Sequence, residues 1–253
     1  MIFDTHAHYD DEAFKDDLEE VLQKARAAGV GRILNCSSSM ESSGKTLELV
    51  GKYDFIYGAV GVHPQDAGEV TGNINKIGDM LKRDKIAAVG EIGLDYYYEG
   101  YDREMQLRAF REQMDLAEQL DMPVVIHDRD AHEDTLRVIK EFKDVKGVLH
   151  CYSGSLEFAK EVLKLDYYLG FTGVVTFKNA KKAVEVAGGI PIDRLLVETD
   201  CPYMAPTPYR GKRNDSSYLI HIIEKIAEIR GVEKEYLTRV TFENGSRLFN
   251  IQP

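Results

Sequence analysis

Short apolar segments alternate with amphipathic segments along the whole chain. The apolar segments are rich in β-branched residues and are bounded by Gly, Pro or Asp, a pattern typical of strands. They read MIFDTH, RILNCS, FIYGAVGVH, IAAVGEIGL, PVVIH, GVLHCY, YYLGFTGVV and RLLVETD. Between them the apolar residues follow a helical period, most clearly over 103–121, where they lie three or four residues apart. These are Leu107, Phe110, Met114, Ala117 and Leu120.

The spacing of these segments predicts an α/β protein with a (β/α)₈ barrel fold, the TIM barrel. The predicted strands begin near residues 2, 32, 55, 86, 123, 147, 167 and 194, an average interval just under 30 residues. Such an interval suits one strand and one helix per unit. Residues 216–250 are expected to form two helices separated by Gly231. Because a barrel of this kind typically has roughly 250 residues, we expect residues 1–253 to form one domain.

An open doubly wound sheet is the alternative architecture, because it has the same alternation of strand and helix. The chain has no Gly-x-Gly-x-x-Gly segment after its first strand and no Gly-rich phosphate loop. Its polar residues also follow many different strands, whereas the site of an open sheet gathers at one switch point. Both observations favour the barrel.

Composition and charge narrow the class of protein. With 43% apolar and 30% charged residues, the chain resembles an ordinary globular protein. It has no apolar stretch near the 18 or so residues of a membrane helix, and its first residues do not resemble a secretory signal. We expect a cytoplasmic protein that does not associate with membranes and has no obligate protein partner. The net charge of −11 argues against non-specific coating of nucleic acid, although it leaves local phosphate recognition open.

The three cysteines are expected to be reduced, buried and small rather than catalytic. They are Cys36, Cys151 and Cys201, an odd number without a Cys-x-x-Cys pair. Cys151 and Cys201 each directly follow a suspected metal ligand. On an extended strand they would therefore point to the opposite face from that ligand.

Ionisable side chains stand at the carboxyl ends of five predicted strands. His6 and His8 share one strand face, since side chains alternate with a period of two. Barrel enzymes place their sites at this end of the strands, so the six groups should converge on one pocket. Four imidazoles and two carboxylates suffice for two divalent ions, with Glu91 able to bridge them. The set is His6, His8, Glu91, His127, His150 and Asp200.

The mixed nitrogen and oxygen ligands suit Zn²⁺, Mn²⁺, Fe²⁺ or Co²⁺. So many imidazoles would be unusual in an all-protein cage for Mg²⁺. The sequence does not choose among Zn, Mn, Mg, Fe and Co. The alternative for each residue taken alone is a polar strand end that faces solvent.

At this point the sequence resembles a known family, the TatD family of metal-dependent deoxyribonucleases within the amidohydrolase superfamily. The resemblance runs essentially end to end and rests on FDTHAHYD, VGVHP, VGEIGLDYY, PVVIHDRDA, HCYSG, ETDCPYMAPTPYRGKRN and ENGSRLF. One departure is RGKRNDSSYL, where family members often carry Glu-Pro after the Asn. This departure concerns the shape of a loop near the substrate and not the metal ligands.

The resemblance implies a role for each ligand. His6 and His8 would hold one metal ion, His127 and His150 the second, and Glu91 would bridge the two. Asp200 would be both ligand and base, so Glu91 and Asp200 are the expected catalytic residues. The chemistry implied is hydrolysis by water that is activated near neutral pH.

Other residues are candidates for contact with the substrate, each with a structural alternative. His63 either touches a phosphate or is a loop histidine, and Arg129 either contacts substrate or forms a salt bridge at the rim. Asp95 and Tyr96 either shape substrate entry or pack in their loop. The basic run after Tyr209 either binds phosphate beside an aromatic neighbour or is a solvated loop. Its cations are Arg210, Lys212 and Arg213. His132 and His221 are expected at the surface.

Three functions follow from this reading. The first is a deoxyribonuclease, with 3′-5′ exonuclease action as one form, whose partner is single-stranded DNA or DNA ends. The second is an ester or amide hydrolase acting on aminoacyl-tRNA or a small cyclic amide, since the same chemistry attacks carbonyl groups. The third is a non-catalytic partner protein that retains the metal site, which the complete ligand set disfavours.

Overall fold

Eight parallel strands form one sheet in chain order in the computed structural model, which describes residues 1–252. The strands are β1 (Ile2–Ala7), β2 (Val30–Cys36), β3 (Ile56–Val60), β4 (Ile86–Asp95), β5 (Val124–Arg129), β6 (Gly147–Leu149), β7 (Tyr168–Phe171) and β8 (Leu195–Val197). Consecutive order with parallel pairing requires a crossover after every strand. The sheet therefore has the predicted alternation, and its strand starts fall within about two residues of those expected from the sequence.

Helices make these crossovers and surround the sheet. They are α1 (Leu18–Ala27), α2 (Met40–Lys52), α3 (Ile74–Leu81), α4 (Arg103–Leu120), α5 (His132–Glu141), α6 (Leu156–Leu163), α7 (Lys181–Gly189), α8 (Leu219–Arg230) and α9 (Lys234–Leu248). The predicted helix over 103–121 is α4, which begins where the Asp102 side chain accepts a hydrogen bond from the Met105 NH and ends at left-handed Asp121. The two predicted C-terminal helices are α8 and α9, with Gly231 in the left-handed conformation as the cap of α8. Among the described residues, no helix is long and apolar enough to cross a lipid bilayer.

Contacts between the first and last strands close the sheet into a barrel. The Thr5 hydroxyl donates to the Val197 carbonyl at 3.1 Å. Beyond the end of β8, the Asp200 NH donates to the His6 carbonyl and the His8 NH donates to the Cys201 carbonyl, both at 2.9 Å. An open doubly wound sheet leaves its edge strands apart, so the barrel prediction is confirmed.

Apolar side chains fill the barrel interior and its amino-terminal end. One set of inward residues comes from alternate positions of the strands and meets Phe242 and Phe249 of the C-terminal segment. Phe3 lies between these two rings, with centroid distances of 6.4 and 5.9 Å. This packing leaves the carboxyl ends of the strands as the polar end of the barrel.

The carboxyl ends of β1 and β8 are also joined through the buried Asp4. Its carboxylate accepts from the Thr199 NH at 2.9 Å, the Thr199 hydroxyl at 2.6 Å and the Ser216 hydroxyl at 2.6 Å. Burial raises the pKa of Asp4 to about 6, although these hydrogen bonds act in the opposite direction. Asp4 therefore connects the first strand to the loop that carries Asp200.

The structure corrects one expectation about the cysteines. All three are free, and Cys36 and Cys201 are buried while Cys151 is half-buried. Cys151, however, has φ of +43° and follows the end of β6. The alternation of an extended strand therefore does not apply to it, and its sulfur lies 3.5 Å from the Thr172 hydroxyl instead.

Candidate metal centre and active site

The first candidate ligand group, named for the metal ion that its residues could hold, comprises His6, His8, Asp200 and one oxygen of Glu91. The Nε2 atoms of His6 and His8 are 3.0 Å apart. Glu91 Oε2 lies 3.3 Å from His6 Nε2 and 3.6 Å from His8 Nε2, and Asp200 Oδ1 lies 3.6 and 3.3 Å from the same two atoms. Four ligand atoms at tetrahedral angles around an ion about 2.0–2.2 Å away would be about 3.3–3.6 Å apart. The residues therefore fit a divalent metal ion.

The second ligand group comprises His127, His150 and the other oxygen of Glu91. Glu91 Oε1 lies 2.9 Å from His127 Nδ1 and 2.7 Å from His150 Nε2. The two ring nitrogens are themselves 3.1 Å apart. His63 Nε2 is farther out, 3.7 Å from Glu91 Oε1. Glu91 thus presents one oxygen to each group.

Backbone geometry brings these side chains together from five strands. His6 and His8 are two residues apart at the end of β1, so both rings project from one face. Asp200 has φ of +56° just beyond β8, and the resulting turn directs the chain back toward β1. Gly93 in β4 has φ of +137°, and a Cβ atom there would lie 2.0 Å from the His127 carbonyl oxygen. The approach of β4 to β5 at the site therefore requires glycine.

Two of the ligand rings are oriented by groups outside the cluster. Asp95 Oδ2 lies 3.2 Å from His127 Nε2, and the Cys36 carbonyl lies 2.8 Å from His8 Nδ1. Each contact leaves the opposite ring nitrogen facing the cluster, as is usual for histidines that bind metals. Among the described residues, the buried Nδ1 atoms of His6 and His150 have no hydrogen-bond partner.

The charges of the cluster are closely coupled. Burial lowers the pKa of His8, but the hydrogen bond to Asp200 and the charge of Glu91 outweigh burial and raise that pKa to about 10. The same balance, with hydrogen bonds to Asp95 and Glu91, raises the pKa of His127 to about 9. Without metal these two rings are therefore cationic at neutral pH. A metal ion would have to displace their protons in order to bind.

The two carboxylates are ionised in the same arrangement. Burial raises the pKa of Asp200, but the hydrogen bond from His8 and the charge of nearby imidazoles lower it below its ordinary value. Glu91 is buried as well, and the charges of His150 and His6 hold its pKa well below the ordinary range. Both groups are thus available as anionic ligands.

A cavity of about 610 Å³ opens onto the cluster and receives some of the predicted substrate residues. Its walls include His63 and Arg129. Asp95 lies behind His127, with which it makes the contact described above. Tyr96 points away, since its hydroxyl donates to Asp134 at 2.8 Å and its ring stacks on Tyr101.

The basic run after Tyr209 does not line this cavity within residues 1–252. Arg213 donates to Asp17 Oδ1 at 2.9 Å, and the guanidinium of Arg210 lies 4.3 Å from the centre of the Phe177 ring. Lys212 Nζ lies 5.9 Å from the centre of the Tyr209 ring. Phosphate binding by this loop stays a prediction.

The two histidines assigned to the surface are partly exposed. His132 Nδ1 is 2.7 Å from Asp128 Oδ2 and its ring stacks on Phe158. His221 Nδ1 is 3.8 Å from Glu224 Oε2. Neither belongs to the ligand groups.

Glu198 is a buried carboxyl beside the cluster that the sequence analysis did not single out. Its Oε1 accepts from the Cys151 NH at 2.6 Å and lies 3.7 Å from His150 Nδ1. Burial raises the pKa of Glu198 to about 8, although the charge of His150 and the Cys151 NH act against this. Space for the carboxyl exists because residue 170 is Gly, where a Cβ atom would lie 2.2 Å from Glu198 Oε2. The sequence feature that could have identified Glu198 is its position two residues before Asp200.

Comparison with known proteins extends the likeness beyond the site. Residues 3–250 match the model of the TatD related DNase family. The chain is 44% identical to a Bacillus subtilis protein named uncharacterized metal-dependent hydrolase YabD, over 99% of this chain and 100% of the relative. It is 34% identical to the 3′-5′ ssDNA/RNA exonuclease TatD of Pectobacterium parmentieri, over 99% of this chain and 100% of the relative.

A solved structure shows the same likeness in three dimensions. The crystal structure of YJJV, a TatD homologue from Escherichia coli K12, aligns with a TM-score of 0.94 at 31% sequence identity. The alignment covers 99% of this chain and 98% of the other. The similarity therefore includes the whole barrel and is not confined to the ligand groups.

Proposed function

The chain belongs to the TatD-related DNase family of metal-dependent hydrolases, and from that premise we propose that it is a nuclease with a binuclear metal centre. Its substrate is single-stranded DNA or RNA, cleaved from the 3′ end. The two metal ions are held by the two ligand groups described above. Its reaction is phosphodiester hydrolysis, the reaction of the exonuclease for which the Pectobacterium relative is named.

One observation carries the binuclear assignment. The two oxygens of Glu91 face different sets of imidazoles, Oε2 toward His6 at 3.3 Å and Oε1 toward His150 at 2.7 Å. With one oxygen toward each set, Glu91 would contribute to the binding of both ions of a two-metal hydrolase. Zn²⁺, Mn²⁺, Fe²⁺ and Co²⁺ match the mixture of nitrogen and oxygen ligands better than Mg²⁺ does.

The protein's own groups supply positioning and proton transfer. When bound, divalent ions lower the pKa of water and neutralise charge that builds up on a phosphodiester. Asp200 lies at the cavity and is ionised, so it can accept the proton of the attacking water. Asp95 and the Cys36 carbonyl fix the orientation of His127 and His8, so that the ligand nitrogens need not reorganise during the reaction.

The volume of the cavity supports an unpaired substrate. A volume of about 610 Å³ lies in the range of small-molecule sites. A pocket of this size requires that a strand enter it without its paired partner. An unpaired strand end satisfies this requirement without the cost of unpairing.

The test combines metal analysis with digestion of end-labelled single-stranded DNA and RNA. We expect about two equivalents of metal in the wild-type protein and progressive loss of nucleotides from the 3′ end. Chelator and Asp200→Ala should both abolish digestion. Asp193→Ala is the matched control, because Asp193 is exposed and lies outside the ligand groups.

Two results would contradict the proposal in different ways. Undiminished digestion by Asp200→Ala would remove Asp200 from the mechanism. If about two metal ions bind while DNA and RNA stay intact, and an aminoacyl ester or cyclic amide is cleaved instead, the protein is an acyl hydrolase that uses the same centre.

A further inference from the structure

An aromatic and guanidinium cluster stands at the rim of the cavity and takes no part in the ligand groups. Tyr97 and Tyr98 follow β4 and leave 56% and 49% of their surface exposed. The guanidinium carbon of Arg129, at the end of β5, lies 3.7 Å from the centre of the Tyr97 ring and 5.3 Å from that of Tyr98. The two tyrosine rings are perpendicular, with centroids 5.1 Å apart. Tyr98 and Arg129 share the cavity with Glu91 and His127.

The cavity mouth carries mostly negative charge. Its walls include five carboxylates outside the ligand groups, those of Asp10, Asp11, Glu12, Glu41 and Asp66. Lys45 also lines the cavity, but its ammonium lies 2.9 Å from Glu41 Oε1. Arg129 is the other basic side chain that lines the cavity, and within residues 1–252 no carboxylate oxygen lies within 4.0 Å of its guanidinium. A strand entering this mouth thus meets repulsion of its phosphates and a single free cation.

We propose that Tyr98 and Arg129 form a stacking subsite for an unpaired nucleobase, with Tyr97 packed behind Arg129 to hold its guanidinium plane. The inference rests on the proposed nuclease function and names the element that binds its substrate. Any of the four bases can stack on an aromatic ring or on a guanidinium plane, because every base has a π-face. The subsite therefore accepts all four bases and requires that the base be unpaired.

The same charges predict how binding depends on salt. For single strands the slope of log K against log salt concentration is about −0.7 per phosphate contact. The cavity offers at most two phosphate contacts, one from the proposed metal centre and one from Arg129. We therefore expect a slope no steeper than about −1.4, the value for two phosphate contacts. A protein that tracks the backbone along a basic groove would show a much steeper slope.

The experiment measures stacking directly with an oligonucleotide that carries 2-aminopurine at its 3′ end, attached through a non-hydrolysable terminal linkage. Stacking quenches the fluorescence of this base, and the linkage prevents its release by digestion. The metal-loaded wild type should quench it, and Tyr98→Ala should not. In hydrolysis, Tyr98→Ala should raise KM roughly 5- to 100-fold with little change in kcat. Tyr98→Phe should retain both quenching and KM, because it keeps the ring. A substrate with an abasic 3′ end should show no difference between wild type and Tyr98→Ala.

Two further variants separate stacking from charge and from general damage. Arg129→Lys keeps the cation but loses the plane, so it should weaken quenching, whereas a purely electrostatic role for Arg129 would leave Arg129→Lys like wild type. Tyr236→Ala is the matched control, since Tyr236 is 41% exposed, lies beside Arg239 and is outside the cavity. If quenching and KM of Tyr98→Ala equal those of Tyr236→Ala, the subsite does not exist.

The quenching assay also separates failure of the subsite from failure of the proposed function. It needs binding and no bond cleavage. Quenching that depends on Tyr98 without digestion of any polynucleotide would overturn the nuclease assignment and support the subsite. Digestion without quenching would do the reverse.

Discussion

The two ends of the barrel use opposite kinds of interaction. At the carboxyl end, the Glu91 carboxylate lies 3.3 Å from His6 Nε2 and 2.7 Å from His150 Nε2 in a buried cluster. At the amino-terminal end, Phe3 packs between Phe242 and Phe249 in an apolar plug. Removing ionisable groups from water costs free energy, whereas burying apolar rings supplies it.

The difference shows how one fold separates stability from chemistry. The same strand β1 contributes Phe3 to the plug and His6 to the ligand cluster, only three residues apart. The plug end can therefore hold the strands in register while the polar end carries groups selected for reactivity. Substitutions at one end should affect stability, and substitutions at the other should affect activity.

The largest expected effect comes from Glu91→Gln. The amide keeps the shape of the side chain but removes the charge that both ligand groups share. We expect metal content to fall below one equivalent and hydrolysis to fall by at least about 10³-fold, the scale of several kcal/mol of metal-ion stabilisation. Elemental analysis and turnover measurements would check this. Full metal content in Glu91→Gln would contradict the bridging role, and circular dichroism would verify that the variant is folded.

Phe3→Ala tests the other end. Truncating a fully buried Phe typically costs about 3–5 kcal/mol, because it leaves a cavity as well as losing apolar contacts. We expect urea unfolding to show a decrease of this size in the free energy of unfolding. The metal content and turnover of the folded protein should be unchanged. Tyr236→Ala, an exposed aromatic truncation, should change stability by less than about 0.5 kcal/mol. A specific loss of turnover in folded Phe3→Ala would show that the two ends are coupled.

The effect of Glu198→Gln is read from its dependence on pH. Burial raises the pKa of Glu198 from an ordinary value near 4.5 to about 8 in the folded protein. The folded state therefore binds the proton more tightly, and this stabilisation is full below about pH 4.5 and is lost as pH rises through about 8. The amide does not titrate. In metal-free protein, the free energy of unfolding of the variant relative to that of wild type should increase by up to about 1.4 kcal/mol per pH unit as pH rises across this window.

Urea unfolding of chelator-treated protein from pH 5 to pH 8 would measure this gain. Glu185→Gln serves as the control, since Glu185 is exposed on α7. Parallel pH profiles of the free energy of unfolding for wild type and Glu198→Gln would show that burial does not raise the pKa of the Glu198 carboxyl. The polar end would then be less costly to the fold than the comparison of the two ends implies.

The sequence by itself determined the barrel and the position of the ionisable residues at the ends of its strands. Apolar runs at regular intervals predict strands because burial of β-branched residues follows a local pattern. Residues at the carboxyl ends of those strands must share one face of a barrel. The proximity of His6, Glu91 and His127 was therefore predictable without any knowledge of side-chain conformation.

Only the tertiary structure decided which atoms of those residues meet and what surrounds them. The division of Glu91 between two imidazole sets, the contact of Arg213 with Asp17, and the turn of Tyr96 toward Asp134 all join residues distant in sequence. Glu198 lies in a buried space that exists because residue 170, on the neighbouring strand, is glycine. A side chain's rotamer and pKa depend on neighbours from other strands, and no local pattern of residues encodes those neighbours.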